Sequence, residues 1–423
     1  MQALLGILGF IFIFGLAVLV HELGHFLTAR KYGVLCHEFA IGMGPIIWKK
    51  RNGETLYTIR AIPIGGFVSM GMNEGERDIF KIGTEIGLTF NYEGGEVSKI
   101  HYQPTEGQII GKLLTNTIDV SGKLEIEIEV AGEAKIYPVD REAFYVDSKA
   151  DRMAQIVPLD RRLESKPKRQ RFVIMVAGAV MNFILAYVIA LIIGFAQGEV
   201  VGSAVVLQSV VEGGPAYNAG FEVGDIINEI DGVSITSGVQ VSEQLRIVGN
   251  REVLIGFERD GQASELYVTP NLQDNNYVIS VVTATNFIMG DRSIPGAFRS
   301  ANTRWRHDAT LIVTSLRMLA TGEAGAGDLT GVVGIVQITG QVAMAGFLPL
   351  LMFAVLININ LGMFNLLPFP ALDGGHITFI AIEAVIGKPV NAKIQMIVSM
   401  IGFGLLLLLM LFTVFNDILR IVN

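Results

Sequence analysis

The sequence predicts an α-helical polytopic membrane protein with four transmembrane helices, a membrane-associated β-loop and a separate α+β domain outside the cytoplasm. Three observations predict it. Of the 423 residues, 51% are hydrophobic and 17% charged, with a mean hydropathy of +0.49, which is too apolar for an ordinary soluble chain. Four stretches, 4–20, 172–195, 347–367 and 394–415, approach the ~20 apolar residues that cross a bilayer core. Basic residues gather on one side: Arg30, Lys31, Lys49, Lys50 and Arg51 follow the first stretch, and Arg161, Arg162, Lys166, Lys168, Arg169 and Arg171 precede the second. The positive-inside rule then places 30–171 in the cytoplasm and both termini outside, together with 197–345. A net charge of −8 argues against nucleic acid as a partner, and the single Cys36 excludes an internal disulfide framework. The N-terminus has no basic n-region and no small-x-small cleavage site, so the first span is expected to be retained.

The first span (1–30) ends in Val20-His21-Glu22-Leu23-Gly24-His25. At 3.6 residues per turn His21 and His25 stack on one face, where both imidazoles reach one Zn²⁺. Glu22 lies about 100° round the helix, placed to take a proton from water polarised by the metal. Charged Glu and bare His at the end of a span cost several kcal/mol unless partnered, so such groups point to function. The motif still lacks a third ligand.

Residues 31–72 read as the β-loop. Gly42-Met43-Gly44-Pro45 is expected as a turn, Thr55 to Ile62 as a strand, and Pro63-Ile64-Gly65-Gly66-Phe67-Val68 as an apolar hairpin-like turn dipping beside the first helix. Such backbone is tolerated at membrane depth when shielded by protein; a surface hairpin is the competing reading. Residues 73–171 form a polar, β-rich cytoplasmic insert and a basic linker, with alternation over 123–130 and no assignable chemistry; His101 there reads as a surface histidine.

The second span (172–196) carries Asn182, which by itself reads as an interhelical hydrogen bond. Outside, 200–285 holds Ala219-Gly220-Phe221-Glu222-Val223-Gly224-Asp225-Ile226-Ile227 and Ile230-Asp231-Gly232. This resembles a PDZ domain, which implies an extended peptide or C-terminus bound by strand addition. Residues 286–346, with Arg299, Arg304, Arg306 and Arg317 among apolar positions, read as amphipathic helices near the membrane surface.

The third span (347–376) ends in Asn365-Leu366-Leu367-Pro368-Phe369-Pro370-Ala371-Leu372-Asp373-Gly374-Gly375-His376. The prolines break the helix and free polar groups at membrane depth. This span and the first both run outside to inside, so Asp373 and the His pair are expected at similar depth. Asp373 is the preferred third ligand, because it follows a rigid turn and its charge offsets Zn²⁺; His376 is the rival. Two His and one carboxylate with an open fourth position form a catalytic arrangement. The fourth span (394–416) carries no motif.

Together, His21-Glu22-x-x-His25, the Gly-Gly β-loop, one PDZ domain and Asn365-x-x-Pro368-x-Pro370-x-Leu372-Asp373-Gly374 resemble the site-2 protease family of intramembrane zinc metalloproteases, of the bacterial regulator-of-sigma-factor type (RseP/RasP-like). The resemblance covers nearly the whole chain. It implies His21, His25 and Asp373 as zinc ligands, Glu22 as catalytic base, and Asn182 and Asn365 as substrate contacts. It also implies a place in the bacterial cell membrane and substrates that are clipped, single-span membrane proteins, such as anti-sigma factors or remnant signal peptides. Gly65, Gly66, Phe67, Pro368 and Pro370 complete the expected substrate path. Two departures stand out: Gly178-Ala179-Val180-Met181-Asn182 and Thr330-Gly331-Val332-Val333-Gly334-Ile335 each lack a proline of the family pattern. A non-catalytic PDZ scaffold with a structural metal is the alternative, and Glu22 discriminates because a structural site has no use for it. An ion carrier would need matching broken helices in two repeated halves, which the sequence does not show.

Overall fold

The computed structural model describes residues 2–71, 81–91, 95–115, 124–147, 152–273, 276–325, 327 and 329–422. Parts of the cytoplasmic insert expected over 73–171 therefore lie outside the described residues, Lys123 among them. Among the described residues, four helices are long and apolar enough to cross a membrane. The chain divides into two units, Met1–Ile184 with Leu361–Phe412, and Leu185–Asn360 with Thr413–Asn423.

In the first unit, α1 (Gln2–Lys31) carries the apolar run straight through the His motif. No proline interrupts it, and Arg30 and Lys31 in its last turn face the negative end of the helix dipole. It packs on α2 (Lys168–Gln197), which is likewise unbroken. A Cβ on Gly24 would lie 2.4 Å from the Ala177 carbonyl oxygen, so glycine there sets how closely α1 and α2 approach.

Between these helices, β1 (Cys36–Asn52) and β2 (Thr55–Met70) pair antiparallel. The register folds the pair on itself: Glu38 faces both Leu56 and Ser69, and Ile41 faces both Ile59 and Gly66. Residues 66–70 thus form an outer rim whose described partners are 36–41 alone. Gly42-Met43-Gly44-Pro45 is not a separate turn but a bend inside β1, with φ of +83° at both glycines. Likewise 63–68 continues β2 and bends at Gly65, where φ is +82°. Glycine's access to positive φ lets each strand turn without ending. Ile47, Trp48, Ile59 and Ile62 stay exposed, the apolar surface that a membrane-associated sheet leaves for lipid.

The insert contributes β3 (Glu85–Phe90), β4 (Val97–His101), β5 (Ile109–Thr115), β6 (Glu125–Val130), β7 (Glu133–Asp147) and β8 (Arg152–Gln155). Their order is β4-β3-β5-β6-β7-β8, and β4 also pairs with β7, which closes five of the strands into a ring. Ile86, Leu88, Ile100, Ile126 and Ile128 fill its core.

The second unit holds β9 (Val200–Val210), α3 (Pro215–Ala219), β10 (Ile226–Ile230), β11 (Val233–Ser234), α4 (Gly238–Val248), β12 (Val253–Arg259), β13 (Gln262–Val268), β14 (Asn271–Gln273), β15 (Asn276–Val278) and β16 (Val281–Met289). The main sheet runs β13-β12-β10-β9-β16, with β11 on β10 and α4 capped by Ser237. This is the stretch whose sequence resembles a PDZ domain, and its A-G-x-x-x-G-D run has a local cause. Gly220 (φ +97°) ends α3, and Gly224 (φ +100°) turns the chain. The buried Asp225 then accepts two hydrogen bonds of 2.7 Å from Arg259 and one from the Glu222 amide. The last strand runs past residue 285 because 284–288 still pair with β9.

Beyond it come α5 (Ile294–Thr321), capped by Ser293, and α6 (Val332–Ala345). The first is amphipathic and the second is a short apolar helix. Its N-terminus is held by Asp417, 3% exposed, whose carboxylate accepts from the Gly331 amide at 3.2 Å and the Gly334 amide at 2.8 Å. A Cβ on Gly331 would lie 2.6 Å from Asp417 Oδ2, so the glycines make room for the carboxylate.

The chain ends in α7 (Phe347–Leu366), α8 (Asp373–Ile386) and α9 (Ala392–Val422). The third span, expected over 347–376, ends at Leu366, and residues 377–393 carried no sequence assignment; α8 begins at Asp373 and fills most of that stretch. Its C-terminal turn is tied to α2: Arg171 Nη1 donates to Glu383 Oε2 at 2.7 Å, and Lys168 Nζ to the Glu383 carbonyl at 3.0 Å. Both side chains of the ion pair are nearly buried, at 13% and 11% exposure. Leaving one partner of such a pair alone costs about 3–5 kcal/mol, whereas replacing both with apolar residues is often neutral. Glu383→Ala should therefore lower the melting temperature in detergent markedly, and Arg171→Met with Glu383→Leu should recover most of it. Equal melting of the wild type and the single variant would refute this role of the pair.

Candidate metal centre

Three side chains from α1 and from the start of α8 converge. His21 Nε2 lies 3.2 Å from His25 Nε2, and Asp373 Oδ2 lies 3.1 Å from the first and 3.2 Å from the second. They form a group able to hold a metal ion, found among the described residues. Helical spacing supplies the His pair. Asp373 arrives by a different route. After α7 the chain turns sharply, with Ala371 at φ +77° and the Phe369 amide bonded to the Leu367 carbonyl at 2.7 Å. A Cβ on Gly374 would lie 1.9 Å from the Leu367 carbonyl oxygen, so the glycine after Asp373 is required for that fold-back. Pro370 packs against Gly402 of α9, which also has no room for a side chain.

The surroundings fix the imidazoles. His25 Nδ1 lies 2.8 Å from the Ile174 carbonyl oxygen, so it carries the proton and donates, leaving Nε2 a bare lone pair. Asn182, fully buried, places its amide 3.4 Å from His21 Nδ1. With the amide oxygen turned to that nitrogen, His21 Nδ1–H gains an acceptor, and the otherwise unpaired Asn182 Oδ1 gains a donor. Asp373 Oδ2 is itself buried without a hydrogen-bond donor; the 3.1 and 3.2 Å approaches are to imidazole nitrogens. Three electron-rich atoms crowded together and shielded from water are stable when a cation sits among them.

The chain matches Peptidase family M50 over residues 9–409. The chain belongs to peptidase family M50. It is 36% identical to the regulator of sigma-W protease RasP of Bacillus subtilis over 419 residues, covering 98% of each chain. It is 37% identical to the zinc metalloprotease RasP of Bacillus licheniformis over 423 residues, covering 98% of this chain and 99% of that one. Among solved structures, the PDZ domain of an SdrC-like protein of Listeria innocua covers 19% of this chain and 92% of its own, at 25% identity and a TM-score of 0.18. As an M50 member the chain is a multi-pass intramembrane zinc metalloprotease.

The donor set fits zinc. Ligands about 2.0–2.1 Å from a tetrahedral ion stand roughly 3.3 Å apart, close to the three separations here. Two imidazoles and one carboxylate are the hard and borderline donors that zinc takes in catalytic sites. His376, the rival ligand, is exposed, lies edge-on to Phe379 and is outside the group.

The other expected M50 site residues divide. Gly66 lies against α1, where a Cβ would sit 3.5 Å from Glu22 Cγ, and the Val68 amide faces Glu22. Phe67 lies under the Arg60 guanidinium at 5.1 Å, and Gly65 beside Met43. Asn365 and Pro370 are half-buried and Pro368 is exposed. Asn182 sits on His21, the interhelical contact that its position in a span suggests, with no surface for a substrate. Sequence reasoning missed Gly178 and Ile174 as site residues. A Cβ on Gly178 would lie 2.4 Å from His25 Nε2 and 2.8 Å from His21 Nε2. Its lone signal was a glycine one turn before Asn182. Gly178→Ala should thus displace a ligand, and zinc measured by mass spectrometry on the purified protein should fall well below one per chain. Full zinc content in that variant would show that the helices can shift apart.

Proposed function

We propose that His21, His25 and Asp373 hold the zinc, that Glu22 is the general base, and that the rim strand Gly66–Met70 presents the substrate to them. The observation that carries this is the adjacency of Glu22 to Gly66 and the Val68 amide, beside the three donors. Zinc bound there supplies Lewis acidity, polarising a peptide carbonyl and acidifying water. Glu22 takes a proton from the attacking water and returns it to the leaving nitrogen as the C–N bond breaks. Asn182 and the Ile174 carbonyl act as positioning groups that hold both imidazoles with Nε2 toward the metal.

A helical substrate must unwind before its carbonyl can be attacked, and each freed backbone group in lipid costs several kcal/mol. The unpaired side of 66–70 offers amides and carbonyls to an extended segment. Asn365, Gly65, Phe67, Pro368 and Pro370 line the remaining path in this reading. The charge pattern supports a site near the cytoplasmic face, both termini outside, and an extracytoplasmic PDZ domain that binds a peptide terminus or restricts entry to clipped chains. Substrates of this class are single-span membrane proteins in the bacterial cell membrane, such as anti-sigma factors or remnant signal peptides.

The deciding experiment incubates detergent-solubilised protein with clipped single-span substrates. Glu22→Gln should retain zinc and lose about 10²–10⁴-fold in cleavage rate, and chelation should abolish cleavage reversibly. Normal cleavage by Glu22→Gln would remove Glu22 as the base, and no cleavage by the wild type would leave a scaffold with a structural metal. Phe67→Pro removes a rim donor; cleavage should drop at least about tenfold at unchanged zinc content. Unchanged cleavage would argue that the rim does not clamp the substrate.

A further inference from the structure

The second unit encloses a cavity of about 740 Å³ among the end of α2, β16, α5, α6 and the first turns of α7. Small-molecule sites commonly occupy about 300–1,000 Å³. Its two sides differ in chemistry. Ile193, Val342, Pro349, Met352, Phe353 and Leu356 form an apolar side, four of them on one face of α7. Opposite lie Gln197, Asn286, Arg304, His307 and Asp308. The last three recur at i, i+3 and i+4 on α5, so one helix face delivers all of them. Arg304 is 5% exposed and donates to Gln197 Oε1 at 2.6 Å.

Peptide hydrolysis uses none of these groups. A buried guanidinium and a half-buried carboxyl beside hydrocarbon are costly, and packing alone is served as well by apolar side chains of similar volume. The other elements lining the cavity bring no charge: α2 offers Gln197, β16 offers Thr285 and Asn286, and α6 and α7 offer apolar residues. Burial raises the Asp308 carboxyl to about 7. Burial, with Arg304 nearby, holds His307 below its usual range. The polar side is therefore cationic whenever Asp308 is protonated.

We propose that this cavity binds a single-chain anionic amphiphile, with its hydrocarbon tail along α7 and its carboxylate or phosphate head at Arg304. A peptide end is the weaker fit. Its backbone N–H and C=O groups would need partners along the apolar side, where six hydrophobic side chains offer none, whereas a hydrocarbon tail needs none. The apolar side is also built largely from α2 and α7, two of the helices long and apolar enough to cross a membrane, where hydrocarbon is the surrounding medium.

The full-length protein in phosphatidylcholine nanodiscs is titrated with oleate, lysophosphatidylglycerol, uncharged monoolein and an apolar hexapeptide with a free carboxylate, with bound ligand read by native mass spectrometry. One oleate or one lysophosphatidylglycerol should bind per chain, at least about tenfold more tightly than monoolein. Preference between the two anions identifies a fatty acid or a lipid headgroup as the source. Leu356→Trp fills the apolar side and should weaken binding at least about tenfold at unchanged zinc content, and Arg304→Gln should do the same. If Arg304→Gln fails to fold, Leu356→Trp carries the test. Ionisation of Asp308 puts a second anion beside the head, so affinity should fall by up to about tenfold per pH unit above 7, and Asp308→Asn should remove that dependence. Equal binding of monoolein, preference for the hexapeptide, indifference to Leu356→Trp or no binding would each overturn the proposal.

Discussion

Three lone-pair atoms held within 3.2 Å of one another are the constraint around which the first unit is built. Left alone they repel, and their burial denies them water. A divalent ion reverses the sign of that interaction, so metal affinity becomes part of the stability of the folded chain. The neighbouring residues serve the same end by what they lack. Gly178 removes a side chain from the face of α2 that looks onto both imidazoles, Gly24 lets α1 press on α2, and Gly374 lets the chain double back so that its carboxylate enters from the third side. The Arg171–Glu383 pair then fixes the far end of α8, the short helix that begins at Asp373.

The two departures from the family pattern become intelligible in this setting. Ala179 stands where a proline is usual, and α2 accordingly runs without interruption from Lys168 to Gln197, with Ala179 fully buried. Its hydrogen-bond ladder is retained, and the residues that touch the imidazoles, Ile174 and Asn182, lie at i and i+8 on one helical face. Val332 is the first residue of α6, where a proline would help by fixing φ but where the amide has no helical partner in any case. Neither change reaches the three ligands.

Local patterns were legible in the sequence, and distant geometry was less so. The i, i+4 His pair follows from helix pitch alone, and the apolar lengths of the spans follow from bilayer thickness. Asp373 could be inferred because the prolines announce a break at membrane depth. The doubling of β1 against both halves of β2 could not, since it depends on long-range register, and glycines that bend a strand look in sequence like glycines that end one. Helix α8 escaped because its fourteen residues are too short for a span and too apolar for a surface helix. Gly178 was marked only as the first residue of a family pattern, and its role stayed hidden because a missing side chain is informative only once its would-be neighbours are known.

Asp417 has a mechanical consequence. A carboxylate shut away from water near the end of the last helix has its charge met by two amides at the head of α6. Parting them would strand an anion and two donors together, a loss of several kcal/mol that thermal motion seldom supplies. The final turns of the chain and the first turn of α6 are consequently one rigid joint, and a displacement of either is felt at once by the other.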